Sequence, residues 1–237
     1  MVASQTASVP IANRLLAALS AKDFDRLRHD LEPVELPFKY EFAVPGGQAE
    51  HVYFPFRGVM SMLVRLSGKE SVEVALVGSE GMVGISSYLG SPKTFFHIIC
   101  QVPGNGVRMK VNAFQKEVDR GGALATALKL FFEGLLIQMT VAGACNHLHT
   151  IEQRCARWML MTHDRVDGTE FILTQEFLAK MLGIRRAGVN GAAASLKQKG
   201  FIGYKRGIIS VVSRDGLETS ACECYKTIKL GYERHYS

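Results

Sequence analysis

Cysteine is scarce in this chain, and the little there is follows no pairing pattern. The five cysteines, Cys100, Cys145, Cys155, Cys222 and Cys224, are odd in number and include no Cys-x-x-Cys pair. That excludes a disulfide framework, a zinc ribbon and a thioredoxin-type motif, and it points to a reduced, cytoplasmic setting. No uninterrupted run of 18 apolar residues occurs, so no transmembrane helix and no membrane partner is expected. The first residues, MVASQTASVPIANRLL, lack a basic segment followed by an apolar one, so no secretory leader is expected. There is no Gly-x-Ser-x-Gly, Walker loop or His-Glu-x-x-His, and the seven histidines are scattered. With no nucleophile–base pair in view, no catalytic residue is assigned and an enzyme is not expected.

Acid is missing from one long stretch. Phe177 to Arg214 holds eight basic residues, Lys180, Arg185, Arg186, Lys197, Lys199, Lys205, Arg206 and Arg214, and no Asp or Glu. The net charge of +6 is placed unevenly: residues 1–150 carry 14 Lys and Arg against 13 Asp and Glu, residues 151–237 carry 14 against 9. Such a block is the footprint of a polyanion-binding face, unless folding brings acids to it from elsewhere.

What is present is ample apolar residue, 47% of 237, enough for one large domain or two smaller ones. Asn13–Leu31 reads as two short helices, with Ser20 and Asp23 at capping-box spacing for the second. The Pro- and Gly-containing stretch 33–47 ends that regime. From about His51 to Lys110 the pattern is β: "HVYFPFRGVMSMLVRL", a hairpin turn at "LSGKES", the alternating "SVEVALVG", a turn at "GSEGMVG", then "TFFHIICQV". Short strands between Gly turns predict a small antiparallel barrel or roll.

After Gly121–Gly122 the period becomes helical. Leu124, Leu128, Phe131, Leu135, Gln138, Ala142 and Cys145 follow 4-3 spacing, a heptad seam with one polar member. Leu130, Leu136, Ile137 and Val141 lie off it. One apolar face can cover the roll while another meets a second subunit; the seam Leu124, Leu128, Phe131, Leu135, Gln138 and Ala142 is assigned to the dimer interface. A helix wholly buried in one chain is the alternative.

Thr150 and Gln153 form a Thr-x-x-Gln capping box for the next helix. "DGTEFIL" reads as a turn and a short strand, and "TQEFLAKML" as a helix capped by Thr174 with Glu176 in its first turn. "AGVNGAAASLKQKG" is a second helix after a tight turn, and "FIGYKRGIISVV" a hairpin with Lys205–Gly207 at its tip. The tail "GLETSACECYKTIKLGYERH" is helical.

Two helices across a tight turn, then a basic hairpin, make a winged helix-turn-helix, whose second helix enters the major groove of DNA. Val189, Ala193 and Leu196 face inward, leaving Arg186 and Asn190 outward. Arg bonds guanine O6 and N7, and Asn bonds adenine N6 and N7. Lys205 and Arg206 suit phosphates. Gly188 and Gly191 each cost about 1 kcal/mol in a helix relative to Ala. They are read as keeping the helix surface low for close approach to DNA, the alternative being helix–helix packing.

The order of parts resembles the Crp/Fnr superfamily of bacterial transcription regulators: a sensor roll, a long dimer helix, a winged helix-turn-helix. The resemblance spans nearly the whole chain and is carried by "YFPFRGVMSM", "EGMVG", "IEQRCARWML" and "LTQEFLAKMLGIRRAGVNGAAASLKQKGFI". It implies an α+β fold with a jelly-roll-like antiparallel sensor over residues 1–120, a dimerisation helix and hinge over 121–148, and a DNA-binding domain over 149–237. Arg186 matches the family's guanine reader, and Thr174 and Gln175 match phosphate contacts. The implied partners are double-stranded DNA, a second copy of the chain and RNA polymerase. The family's Ser-Arg-Glu-Thr-Val is here Arg185-Arg186-Ala187-Gly188-Val189, so a glutamate base reader is lost. Gly191 replaces a further arginine reader, and Arg185 offers a new contact.

The resemblance places nucleotide-holding residues at Gly84-Ile85 and Phe95-Phe96. A buried phosphate needs a cation or a backbone nest, which two phenylalanines do not supply. No tight cyclic AMP binding is expected, and no cofactor is identified. Gly84, Ile85, Phe95 and Phe96 are the candidate effector pocket, for an apolar or acyl-like ligand if for any. A sensing roll whose winged helix engages a protein or RNA partner is the alternative reading.

"CNHLHT" with Cys155 invites a metal, but His147 and His149 are two apart and do not share a helix face. These residues are read as a helix end and hinge, and Cys222 and Cys224 as ordinary tail residues. His97 is read as a satisfied histidine rather than a haem ligand, and no metal ligand is assigned.

Overall fold

The computed structural model describes residues 12–65 and 71–234. The expected hairpin turn at 66–70, the leader reading on residues 1–11 and the last residue of the tail reading at 235 lie outside the described residues.

Asn13 begins the described fold. Its Oδ1 accepts from Leu16 N to cap α1 (Arg14–Ala17), while its Nδ2 donates to Pro55 O and Gly81 O. One buried side chain thus fixes the helix on the roll. Ser20 caps α2 (Ala21–Leu27) as its spacing implied. The strands start earlier than the alternation suggests, with β1 (Glu32–Leu36) and β2 (Glu41–Ala43) ahead of β3 (His51–Pro55), β4 (Val59–Arg65) and β5 (Ser71–Val77). β1 contains Pro33, which it tolerates because it lies on a sheet edge. A short α3 (Ile85–Tyr88) precedes β6 (His97–Val102), β7 (Gly104–Lys110) and α4 (Val111–Asp119). All pairings are antiparallel, in two sheets of order β1-β7-β3 and β2-β6-β4-β5. This is the expected roll. His97 is satisfied as read, its Nε2 lying 2.6 Å from Glu41 Oε1.

The long helix α5 (Ala123–Leu148) corrects the sequence reading. Leu124, Leu128, Phe131, Leu135, Gln138, Ala142 and Cys145 are all buried within this one chain. The seam assigned to a second subunit packs instead on the roll and on the C-terminal helix α10 (Cys224–Glu233). Phe131 lies so close to Gly81 that a Cβ there would be 2.0 Å from its ring, and Tyr232 crosses Gly134 as closely as side chain allows, at 2.7 Å from an added Cβ. Gln138, the polar member, donates to Leu76 O on β5. The opposite face, with Leu130, Leu136, Thr140, Gly143 and Ala144, is exposed. α5 is long and apolar enough to cross a membrane by length and composition, but its buried face is occupied by this chain's own core.

The rest is helical with one small sheet. α6 (Ile151–His163) opens on the Thr150–Gln153 box, with both reciprocal hydrogen bonds present, and is buried from Arg154 to Thr162. There follow β8 (Glu170–Ile172), α7 (Gln175–Leu182), α8 (Arg186–Gln198), β9 (Ile202–Lys205), β10 (Ile208–Val211) and α9 (Arg214–Ser220), then α10. The tail is therefore two helices, and the second returns to α5. α6 also joins the two halves. Trp158 Nε1 donates to Glu73 Oε1 on β5 at 2.7 Å, Gln101 donates to Thr162, and buried Arg165 pairs with buried Glu80 at 2.8 Å. The apolar core is continuous across both halves.

Candidate nucleic-acid interface

α7 is capped by Thr174, whose Oγ1 accepts from Phe177 N, and it ends at Gly183 in the left-handed conformation. The chain then turns through Ile184 and Arg185, and α8 starts at Arg186. Val189, Ala193 and Leu196 are buried as expected, together with Ala192. Arg185, Arg186, Ala187, Asn190 and Gly191 are exposed, so Arg186 and Asn190 do share the outer face, one turn apart.

The wing is β9–β10 with Arg206 and Gly207 between them, at φ +50° and +80°. Two positive φ values define the tight turn that matches strand twist, and glycine suits the second position. Gly207 O accepts from Leu173 N, which sets the wing tip beside the start of α7. Thr174, Gln175 and Arg206 are therefore neighbours on one rim.

Folding neutralises part of the basic block. Lys199 pairs with Glu152 at 2.5 Å, and Arg214 pairs with Asp164 and Glu218. Among the described residues, Arg185, Arg186, Asn190, Lys205 and Arg206 have no side-chain hydrogen bond or ion pair. Lys180 on α7 and Lys197 in the last turn of α8 are likewise exposed and unpaired among the described residues, so the free charges run along both helices and the wing. The two glycines divide between the two readings. A Cβ on Gly188 would lie 2.8 Å from Ile151 Cδ1, so that glycine serves packing between α8 and α6. A Cβ on Gly191 would meet nothing within 4 Å, so it lowers the outer surface.

The four residues named as an effector pocket do not form one. Phe95 is 64% exposed, and the space beside Gly84 is filled by Val52, whose Cγ1 would lie 2.7 Å from an added Cβ. The described cavities lie elsewhere. An apolar one of about 390 Å³ is lined by Leu16, Phe24, Leu31, Val34, Phe56 and Val107. Another, of about 280 Å³, includes Arg14, Glu80, Arg165 and Tyr225 between the two halves.

Sequence reasoning missed a second grouping. Cys145, His149, Cys222 and Cys224 converge, with their ligand-capable atoms within 4.8 Å of one another. Cys145 Sγ is 3.5 Å from Cys222 Sγ, and Cys224 Sγ is 3.6 Å from His149 Nδ1. The Cys222 hydrogen bond favours a Cys145 thiolate and holds the proton on Cys222. Cys155 belongs to the main core, and His147 is exposed, so neither joins the group. The missed signal was the spacing of Cys145 and His149, four apart and hence on one helix face.

α7, α8 and the β9–β10 wing have the arrangement of a winged helix-turn-helix, with exposed, unpaired cations on both helices and at the wing tip. Residues 153–220 match the Crp-like helix-turn-helix domain. Over most of its length the chain has the fold of solved Crp/Fnr regulators. It is similar to FixK2 from Bradyrhizobium japonicum, with a TM-score of 0.69 and 17% identity over 81% of this chain and 98% of that one. It is also similar to a crp/fnr-family transcriptional regulator from Eubacterium rectale, with a TM-score of 0.66 and 12% identity over 88% and 97% of the two chains. A third similar structure is the c-di-GMP responsive global regulator CLP of Xanthomonas campestris, with a TM-score of 0.64 and 14% identity over 81% and 99%. No curated protein matches the sequence.

Proposed function

We propose that this chain is a cytoplasmic transcription regulator that binds a pseudo-palindromic operator as a homodimer, with half-sites about one helical turn apart. The observation that carries the reading is the set of unpaired, exposed groups Arg185, Arg186, Asn190, Lys205 and Arg206 on the Crp-like domain. Arg186 and Asn190 read base edges, Thr174, Gln175, Lys205 and Arg206 hold phosphates, and Arg185 adds a contact beside Arg186. Dimerisation uses the exposed face of α5, where Leu130, Leu136 and Thr140 meet the partner and Gly143 and Ala144 allow close approach. RNA polymerase is the further partner this reading entails.

The test is retention of fragmented genomic DNA by the purified protein, with Arg186→Ala in parallel. A shared palindrome enriched by the native protein and lost in the variant is the expected result. Affinity should fall steeply with salt. Equal retention by both proteins, or preference for RNA over duplex DNA, would overturn the reading.

A further inference from the structure

The four converging residues come from two places in the chain. Cys145 lies in the last turn of α5 and His149 is its C-cap residue, while Cys222 and Cys224 lie between α9 and the first turn of α10. The three cysteines are buried, and the His149 side chain is 13% exposed. A tetrahedral zinc ion with Zn–S of about 2.3 Å and Zn–N of about 2.0–2.1 Å holds its sulfurs about 3.8 Å apart, and sulfur and nitrogen about 3.5 Å apart. Two of the six separations, 3.5 and 3.6 Å, match those edges to within a few tenths of an ångström, and all six lie within 4.8 Å. A disulfide would need about 2.05 Å between sulfurs.

Two further features fit an ion. The other ring nitrogen of His149, Nε2, lies 3.1 Å from Glu223 Oε1. A carboxylate on the far nitrogen fixes the ring so that Nδ1 presents its lone pair, the usual outer support of a metal-bound histidine. The charge also has the right sign. Arg154 and Arg157 are buried, and among the described residues neither pairs with a carboxylate. Their Nε atoms have no partner. Buried cations need a counter-charge, and three thiolates around a divalent ion supply a net charge of about −1.

We propose that Cys145, His149, Cys222 and Cys224 bind one thiophilic divalent cation, zinc(II) by the donor set, with Glu223 orienting His149. Each cysteine ligates as its thiolate, so any thiol proton still present is released as its Zn–S bond forms, with no redox change. The ligands stand just before and just after residues 153–220, the helix-turn-helix match. The ion closes that domain into a loop and ties its end to the hinge after α5. Four protein ligands leave no open position, which makes the site structural and not catalytic.

The test is a titration of the reduced, metal-stripped full chain with cobalt(II), followed by displacement with zinc(II). The expected result is one cobalt per chain with intense tetrahedral visible bands and thiolate-to-cobalt charge transfer, both abolished by zinc. Cys224→Ser should lose the spectrum, while Cys155→Ser keeps it. Glu223→Gln, at an exposed position, should weaken zinc binding about 10-fold to 100-fold with an unchanged cobalt spectrum. An octahedral spectrum, cobalt binding equal in native protein and Cys224→Ser, or a Cys145–Cys222 disulfide in place of binding would overturn the proposal. None of these readouts depends on an operator, so a failure here leaves the DNA-binding reading untouched, and the converse holds.

Discussion

Glu73 offers a sharp test of how the β-roll meets the helix-turn-helix half. It sits on β5 beneath α6, accepts one hydrogen bond from Trp158 at 2.7 Å, and has its second oxygen buried without a partner. Burial is the largest influence on its carboxyl and pushes its pKa up to about 7 from 4.5, against the weaker pull of Ser61, then Trp158, Arg157 and Arg165. The folded protein therefore keeps a proton that the unfolded chain gives up at lower pH. Stability from this group is complete below the unfolded value and is lost as pH rises through the folded one. A displacement of this size corresponds to about 3 kcal/mol in all, of which about 2.5 kcal/mol falls between about pH 5 and pH 8.5. Glu73→Gln keeps an acceptor for Trp158 and carries no charge at any pH. Urea unfolding of both proteins across that range should show the variant gaining on the native protein as pH rises, with the curves converging near pH 4.5. Parallel curves would show that Glu73 is solvated and that the roll and α6 are not sealed together.

Three further outcomes follow from the same geometry. Leu136→Arg, on the exposed face of α5, should turn dimers into folded monomers in sedimentation, whereas Leu135→Ala, on the buried face, should cost about 2–5 kcal/mol in unfolding; a Leu136→Arg dimer would return the interface to another surface. Gly191→Ala should raise stability by up to about 1 kcal/mol and weaken operator binding, while Gly188→Ala should lose stability against Ile151, so unchanged affinity in the Gly191 variant would remove the close-approach argument. Arg206→Asn should relieve a left-handed residue that costs about 1–2 kcal/mol and lower the salt slope of binding by about 1. A higher melting temperature with an unchanged slope would take Arg206 off the phosphates.

Local patterns were legible in the sequence where the cause is local. Thr150–Gln153, Thr174 and Ser20 cap where their spacing placed them, because a cap is a contact three residues long. The helix-turn-helix face was legible for the same reason: Arg186 and Asn190 are one turn apart, and Val189 and Leu196 fix which side is inside. Contacts between distant segments were not. A heptad seam states that a face is apolar but not what covers it, so Leu128 and Leu135 look the same whether they meet a second copy or the chain's own roll. The cover here includes α10, which returns from the far end of the chain. The effector pocket failed differently, because family positions at Phe95 and Phe96 were carried over onto a loop whose side chains point partly to solvent.

The return of α10 reorganises how the parts communicate. In a chain whose DNA-binding half hung only from the end of α5, the hinge near His147–Thr150 would be the sole mechanical link. Here α10 lies along α5 through Tyr232 and Gly134, α6 seals onto β5 through Trp158, and Arg165 pairs with Glu80. Rotating the recognition helix relative to the roll then requires breaking a buried ion pair and a buried hydrogen bond together, and a broken buried pair costs about 3–5 kcal/mol. An effector can shift such an equilibrium only by its differential affinity for the two arrangements. The cavity between the halves, lined by Glu80, Arg165 and Tyr225, borders the contacts that such a rearrangement would break. A ligand held only by the roll would have to transmit its effect through β5 to Trp158.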